Sequence, residues 1–264
     1  MSNEKKKSSA TPLVIIGIVL VIAVIGVALL YNSSKPATNT NQAAANTRRQ
    51  NTTVPANVPP GAALGVNVIG PSTAVVTIEE FADFQCPACA ATHPVMKDLQ
   101  KMYAGNRNIR FIFRQFPLPI HDKSWEAAVA VEAAGMQGSQ KYWAMMDQMF
   151  TNQTQWSSSP NYREIWKQYA EKIGLDTQKF LDDMSAGMTR TRVDEDIKRA
   201  RAIGVSSTPS IYLNGRLIPP TDVNVSTMKR LIDSEIESAL NSSSNANASG
   251  AAGNQQGQPS EVNK

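Results

Sequence analysis

Cys86 and Cys89 are the only cysteines in a chain of 264 residues, and they stand in the run Cys86-Pro87-Ala88-Cys89. A disulfide across so short a loop closes almost no chain, so it contributes little as a staple. A structural zinc site needs four ligands. No second Cys-x-x-Cys or His-x-x-x-His is present, and His93 and His121 are singletons. The pair therefore points to redox chemistry, two thiols that trade one disulfide with a partner, with a merely local disulfide as the alternative. No metal and no cofactor is expected.

The flanking residues say how such a pair is held. VVTIEEF at 75–81 alternates and is rich in β-branched residues, which predicts a strand that runs off through Ala82-Asp83-Phe84-Gln85. Pro87 suits the first turn of a helix, and Cys89, Ala90, Val95, Leu99 and Met102 recur at helical spacing to about Tyr103. Pro94 falls inside that helix and is expected to kink it. Cys86 then sits at a helix N-terminus, where free N–H groups and the helix dipole favour the thiolate. It is the expected attacking sulfur. Cys89, one turn further in, is the expected resolving sulfur.

The rest of the chain divides by composition. Residues 13–30 are an unbroken apolar run preceded by Lys5-Lys6-Lys7, and at 1.5 Å per residue they span about 27 Å, enough to cross a bilayer. The positive-inside rule predicts a cytoplasmic N-terminus at 1–12, a transmembrane anchor at 13–31 and export of all residues beyond it, to the periplasm or outer surface. A cleaved signal peptide is the alternative, but the run is long for one and no clear cleavage site lies close behind it. Residues 32–60 and 241–264 have almost nothing to bury and are expected to be a flexible linker and a disordered tail. The remaining 61–240 is the size of one domain. The net charge of +4 is partly gathered at the N-terminus, and elsewhere acids and bases interleave, so no nucleic-acid partner is expected.

Three segments, VTIEEFADFQCPAC at 76–89, FRQFPLPIHDKSWEAA at 113–128 and GVSSTPSIYLNGR at 204–216, resemble the DsbA-like branch of the thioredoxin superfamily. The resemblance covers about residues 64–240. It implies an α/β thioredoxin-like fold with an inserted helical subdomain, here about 120–203. It implies a buried acid six residues before the attacking cysteine, which is Glu80, to move the proton of the resolving thiol. It also implies a cis-proline facing the dithiol, which is Pro209, with Thr208 offering backbone groups to a substrate strand. Asn214-Gly215 then predicts a hairpin turn.

The implied activity is thiol–disulfide exchange on reduced or misoxidised exported proteins. The implied regenerating partner is a quinone-linked membrane protein, DsbB-like or VKOR-like, with the N-terminal helix holding the domain at the membrane. Ala88 departs from strongly oxidising members, which often carry histidine there, and favours a less oxidising pair. A reductase or isomerase is therefore the alternative, and a non-catalytic tethered chaperone a further one. His93 is expected to pack or face solvent, and His121 has no assigned role. The methionine-rich stretch from Tyr142 to Phe150 is expected to be core, with a peptide groove as the other reading.

Overall fold

The computed structural model describes residues 58–253, so the expected N-terminus at 1–12, the anchor at 13–31 and all but the end of the linker lie outside it. Among the described residues no helix is long and apolar enough to cross a membrane. In chain order the elements are β1 (Val68–Ile69), β2 (Val76–Ala82), α1 (Pro87–Met102), β3 (Ile109–Gln115), α2 (Ser124–Gly135), α3 (Ser139–Thr151), α4 (Gln153–Ser157), α5 (Tyr162–Lys172), α6 (Thr177–Ser185), α7 (Gly187–Ala202), β4 (Ser210–Leu213), β5 (Arg216–Leu217) and α8 (Val225–Gly253).

The strands form one mixed sheet in the order β1-β3-β2-β4-β5. β2 and β3 are parallel, which requires the crossover that α1 supplies, and the other pairings are antiparallel. Both central strands are buried along nearly their whole length. On one face Ile78, Phe111, Ile211 and Leu213 pack against Met96 and Leu99 of α1 and against Met228, Ile232 and Ile236 of α8. On the other, Phe81 and Tyr212 meet Ala200 and Val205. The expected turn at Asn214-Gly215 joins β4 to β5, both residues at positive φ (48° and 77°).

Helices α2 to α7 stand between β3 and β4 and share a core of their own. Met145, Met146 and Met149 are buried there beside Trp156 and Trp166, so the methionines are core rather than groove. Phe84 and Phe113 from the sheet side enter the same cluster, as does Cys89. The dithiol thus lies where the sheet meets the helical insertion.

Two boundaries differ from those read from composition. α8 continues to Gly253, so the first part of the stretch expected as a disordered tail is helical. Met228, Ile232 and Ile236 are its buried core side chains among the described residues, and backbone i→i−4 bonding extends the helix from that packed nucleus. At the other end, Pro59 and Pro60 close the expected linker but are fixed. The carbonyl of Pro60 accepts from Nη2 of Arg114, and that of Pro59 accepts from Nη1 of Arg199.

Candidate active site

β2 delivers the chain to Asp83, and the carbonyl of Asp83 accepts from the N–H of Cys86 at 3.1 Å, closing a turn just before the helix. Cys86 is the N-cap of α1, extended at φ −75° and ψ 120°, with Pro87 in the first turn. Proline there gives up an N–H that has no helical partner in any case. No side chain caps the helix, so its first amides are left for the Cys86 sulfur. Pro94 lies in the helix interior.

Both cysteines are free thiols. Cys89 is completely buried, and Cys86 retains 7% exposure. Across the site, Cys86 Sγ lies 3.5 Å from the carbonyl oxygen of Thr208, and the Thr208–Pro209 peptide bond is cis. The structure therefore brings Cys86, Cys89, Thr208 and Pro209 together. Glu80 lies on the β2 face shared with Ala82, flanked in register by Phe113 and Ile211. Ala82 and Phe113 belong to the apolar cluster that encloses Cys89.

The two thiols are electrostatically opposite. The Cys86 thiol is lowered from 9.0 to about 5, chiefly by a hydrogen bond from the Cys89 thiol, and further by the Thr208 hydroxyl and the N–H groups of Cys89 and Ala88; burial opposes this. Cys89 is driven far upward, first by holding its proton toward Cys86 and then by burial, against the pull of the Asp83 N–H. The Thr208 hydroxyl oxygen is buried and has no hydrogen-bond partner among the described residues, which leaves it available to a Cys86 thiolate. Burial alone raises the Glu80 carboxyl from 4.5 to about 7. One sulfur is thus a stable anion at neutral pH, its neighbour retains a proton, and an acid near neutrality lies on the β2 face that carries Ala82.

Residues beyond the expected set complete the loop. Gln153, the first residue of α4, donates to the carbonyls of Phe84 (2.7 Å) and Cys86 (2.9 Å). Nothing in the sequence marked it, because it comes from a distant short helix. The fully buried carboxylate of Asp83 accepts from the N–H of Gln85, and this local Asx-type turn was a readable signal. His93 pairs with Asp147 of α3 and its ring sits 4.9 Å from that of Phe150, so it packs α1 against the insertion. Among the described residues no group of three or more His, Cys, Asp or Glu is placed to hold a metal ion.

A family model described as thioredoxin matches residues 63–234. The chain belongs to the thioredoxin family. Among thioredoxin-family relatives it resembles the probable disulfide bond formation protein D of Bacillus cereus, with 30% identity over 174 residues that cover 64% of this chain and 78% of that protein. It is similar in structure to a thioredoxin-like oxidoreductase from Silicibacter pomeroyi DSS-3, with a TM-score of 0.53 and 26% identity over 66% of this chain and 91% of that one. It also matches the Na(+)/H(+) antiporter NhaA 3 of Salinispora tropica at 33% identity over 151 residues. That match covers 57% of this chain but spans only 22% of the antiporter, whose name describes the whole of that longer protein.

Proposed function

We propose that this thioredoxin-family chain is a thiol–disulfide oxidoreductase that donates the Cys86–Cys89 disulfide to reduced exported proteins. The observation that carries this reading is the seat of Cys86 at the N-cap of α1, 3.5 Å from the Thr208 carbonyl, where its thiol is lowered to about 5. A stabilised thiolate favours the reduced form, so the disulfide is readily given away. A substrate thiolate bonds to the Cys86 sulfur, the Cys86–Cys89 bond breaks, and its electron pair passes to Cys89, which takes a proton. A second substrate thiolate then attacks the mixed disulfide and expels the Cys86 thiolate. Glu80 serves as proton carrier for Cys89, and Thr208 and Pro209 receive the substrate strand.

The reduced dithiol returns its two electrons to a quinone-linked membrane protein, DsbB-like or VKOR-like. Residues 13–31 anchor the domain outside the cytoplasm beside that partner. The name of the Bacillus cereus relative, which speaks of disulfide bond formation, supports the direction. Ala88 supports the opposite one, a reductase or isomerase in the same compartment.

The reduction potential of the dithiol decides between a donor and a reductase. Equilibration with glutathione is expected to give a value between about −120 and −180 mV, the range of known disulfide donors and isomerases. A value near −270 mV, roughly that of cytosolic thioredoxin, would overturn the donor reading in favour of a reductase.

A further inference from the structure

The structure assigns His121 and Asp83 as a positioning pair that holds the Asp83 backbone N–H on the Cys89 sulfur. The inference rests on thiol–disulfide exchange at this dithiol, not on its direction.

The carboxylate of Asp83 is wholly buried. One oxygen accepts from the N–H of Gln85 at 2.7 Å. The other accepts from the N–H of Leu118 at 2.8 Å and from Nδ1 of His121 at 2.7 Å. The side chain is therefore fastened to the segment that leads from β3 into α2. That segment is itself closed, because the His121 N–H donates to the carbonyl of Leu118, and Ser124 Oγ donates to the carbonyls of Leu118 and His121. The main chain of the same aspartate touches both halves of the dithiol. Its N–H donates to Cys89 Sγ at 3.5 Å, and its carbonyl accepts from the N–H of Cys86 at 3.1 Å.

This geometry acts where the chemistry is hardest. When a thiolate attacks Cys86 of the disulfide, the Cys86–Cys89 bond breaks and the electron pair arrives on Cys89. In the reverse step Cys89 attacks as a thiolate. Either way negative charge develops on a fully buried sulfur, which is costly without a donor. The Asp83 N–H supplies one, and a donor fixed beforehand needs no reorganisation as the charge forms. The His121 side chain keeps 18% exposure and binds the Asp83 carboxylate, so it acts on the dithiol through the aspartate.

The test separates the two sulfurs, with glutathione as the probe. Attack of glutathione on the oxidised protein, and Cys89-driven release of glutathione from the mixed disulfide, both place charge on Cys89. Alkylation of reduced Cys86 by iodoacetamide does not. His121→Ala is expected to slow both glutathione steps about tenfold, the size of one lost hydrogen bond, while changing alkylation less than about twofold. His121→Asn, whose amide can donate where Nδ1–H did, is expected to recover the rates to within about threefold of the parent. Asp83→Asn keeps the backbone amide but gives up an acceptor oxygen, and it reads the same steps if His121→Ala does not fold.

Unchanged glutathione rates in a folded variant, equal slowing of alkylation, or no recovery with Asn would each overturn the assignment. An unmodified oxidised protein that failed to react with glutathione would instead sink the oxidoreductase reading itself.

Discussion

The thiol of Cys89 donates to the sulfur of Cys86, and this one contact is the largest influence on both groups, lowering Cys86 and raising Cys89. The two thiols are therefore a donor and an acceptor of one proton rather than two equivalent nucleophiles.

The reduced protein should accordingly show thiolate absorbance at 240 nm that titrates near pH 5, and a single cysteine that alkylates rapidly at pH 6. Cys89→Ala removes the principal donor and should move the midpoint up by more than one unit. The effect on stability has a definite sign. A thiol lowered from 9.0 to about 5 stabilises the folded reduced form fully above about pH 9, and that contribution is lost as pH falls through about 5. Oxidation abolishes it. The melting temperature of the reduced form relative to the oxidised form should therefore rise from pH 5 to pH 9. A difference that stays flat would show that Cys86 is an ordinary thiol.

Glu80 should act in the opposite sense. Its carboxyl is raised from 4.5 to about 7 by burial, so the fold favours the protonated acid. Stability is unimpaired below about pH 4.5 and declines as pH rises through about 7. Glu80→Gln should remove that decline and stabilise the protein at pH 8 by on the order of 2 kcal/mol, with little effect at pH 4.5. The same variant should slow proton removal from Cys89, visible as slower glutathione release above pH 6. Urea unfolding at the two pH values checks the first half, and equal effects at both would refute it.

Gly61 is required twice over. Its φ is +78°, and a Cβ built there would come within 2.7 Å of Arg114 Nη1 and 2.8 Å of Asp196 Oδ1. These two groups form a buried ion pair at 2.8 Å, and the same Asp196 oxygen accepts from the N–H of Ala62. Gly61→Ala should therefore cost roughly 2–4 kcal/mol, from backbone strain together with a disturbed buried charge. Gly65→Ala, where nothing lies within 4 Å, should change stability by less than about 0.5 kcal/mol. Denaturant midpoints of the two variants measure the contrast.

The dithiol was legible because its neighbours carry strong local signals. Alternation before Asp83, proline after Cys86 and apolar spacing beyond Cys89 each act over a few residues. The charged layer under the sheet was not. Glu79 is bound by Arg114 and Arg199, and Asp196 by Arg114, across sequence gaps that no periodicity reports. In the sequence these residues look like solvated charges, and only tertiary contact reveals that Arg114 and Asp196 are buried. β1 and β5, at two residues each, and the single turn of α4 are too short to imprint a pattern. His121 was visible only as a family residue, since its partner Asp83 lies on the far side of α1 and β3 in the chain.

The complete burial of Cys89 fixes the regiochemistry of exchange. An incoming sulfur has one electrophilic atom within reach, so the covalent path has a single branch instead of two, and no regioisomeric adduct competes with it. A substrate caught midway is always tied to the same atom at the mouth of the site. The internal thiol, sheltered from external reagents, competes with the substrate's own second thiolate to set how long the adduct lasts.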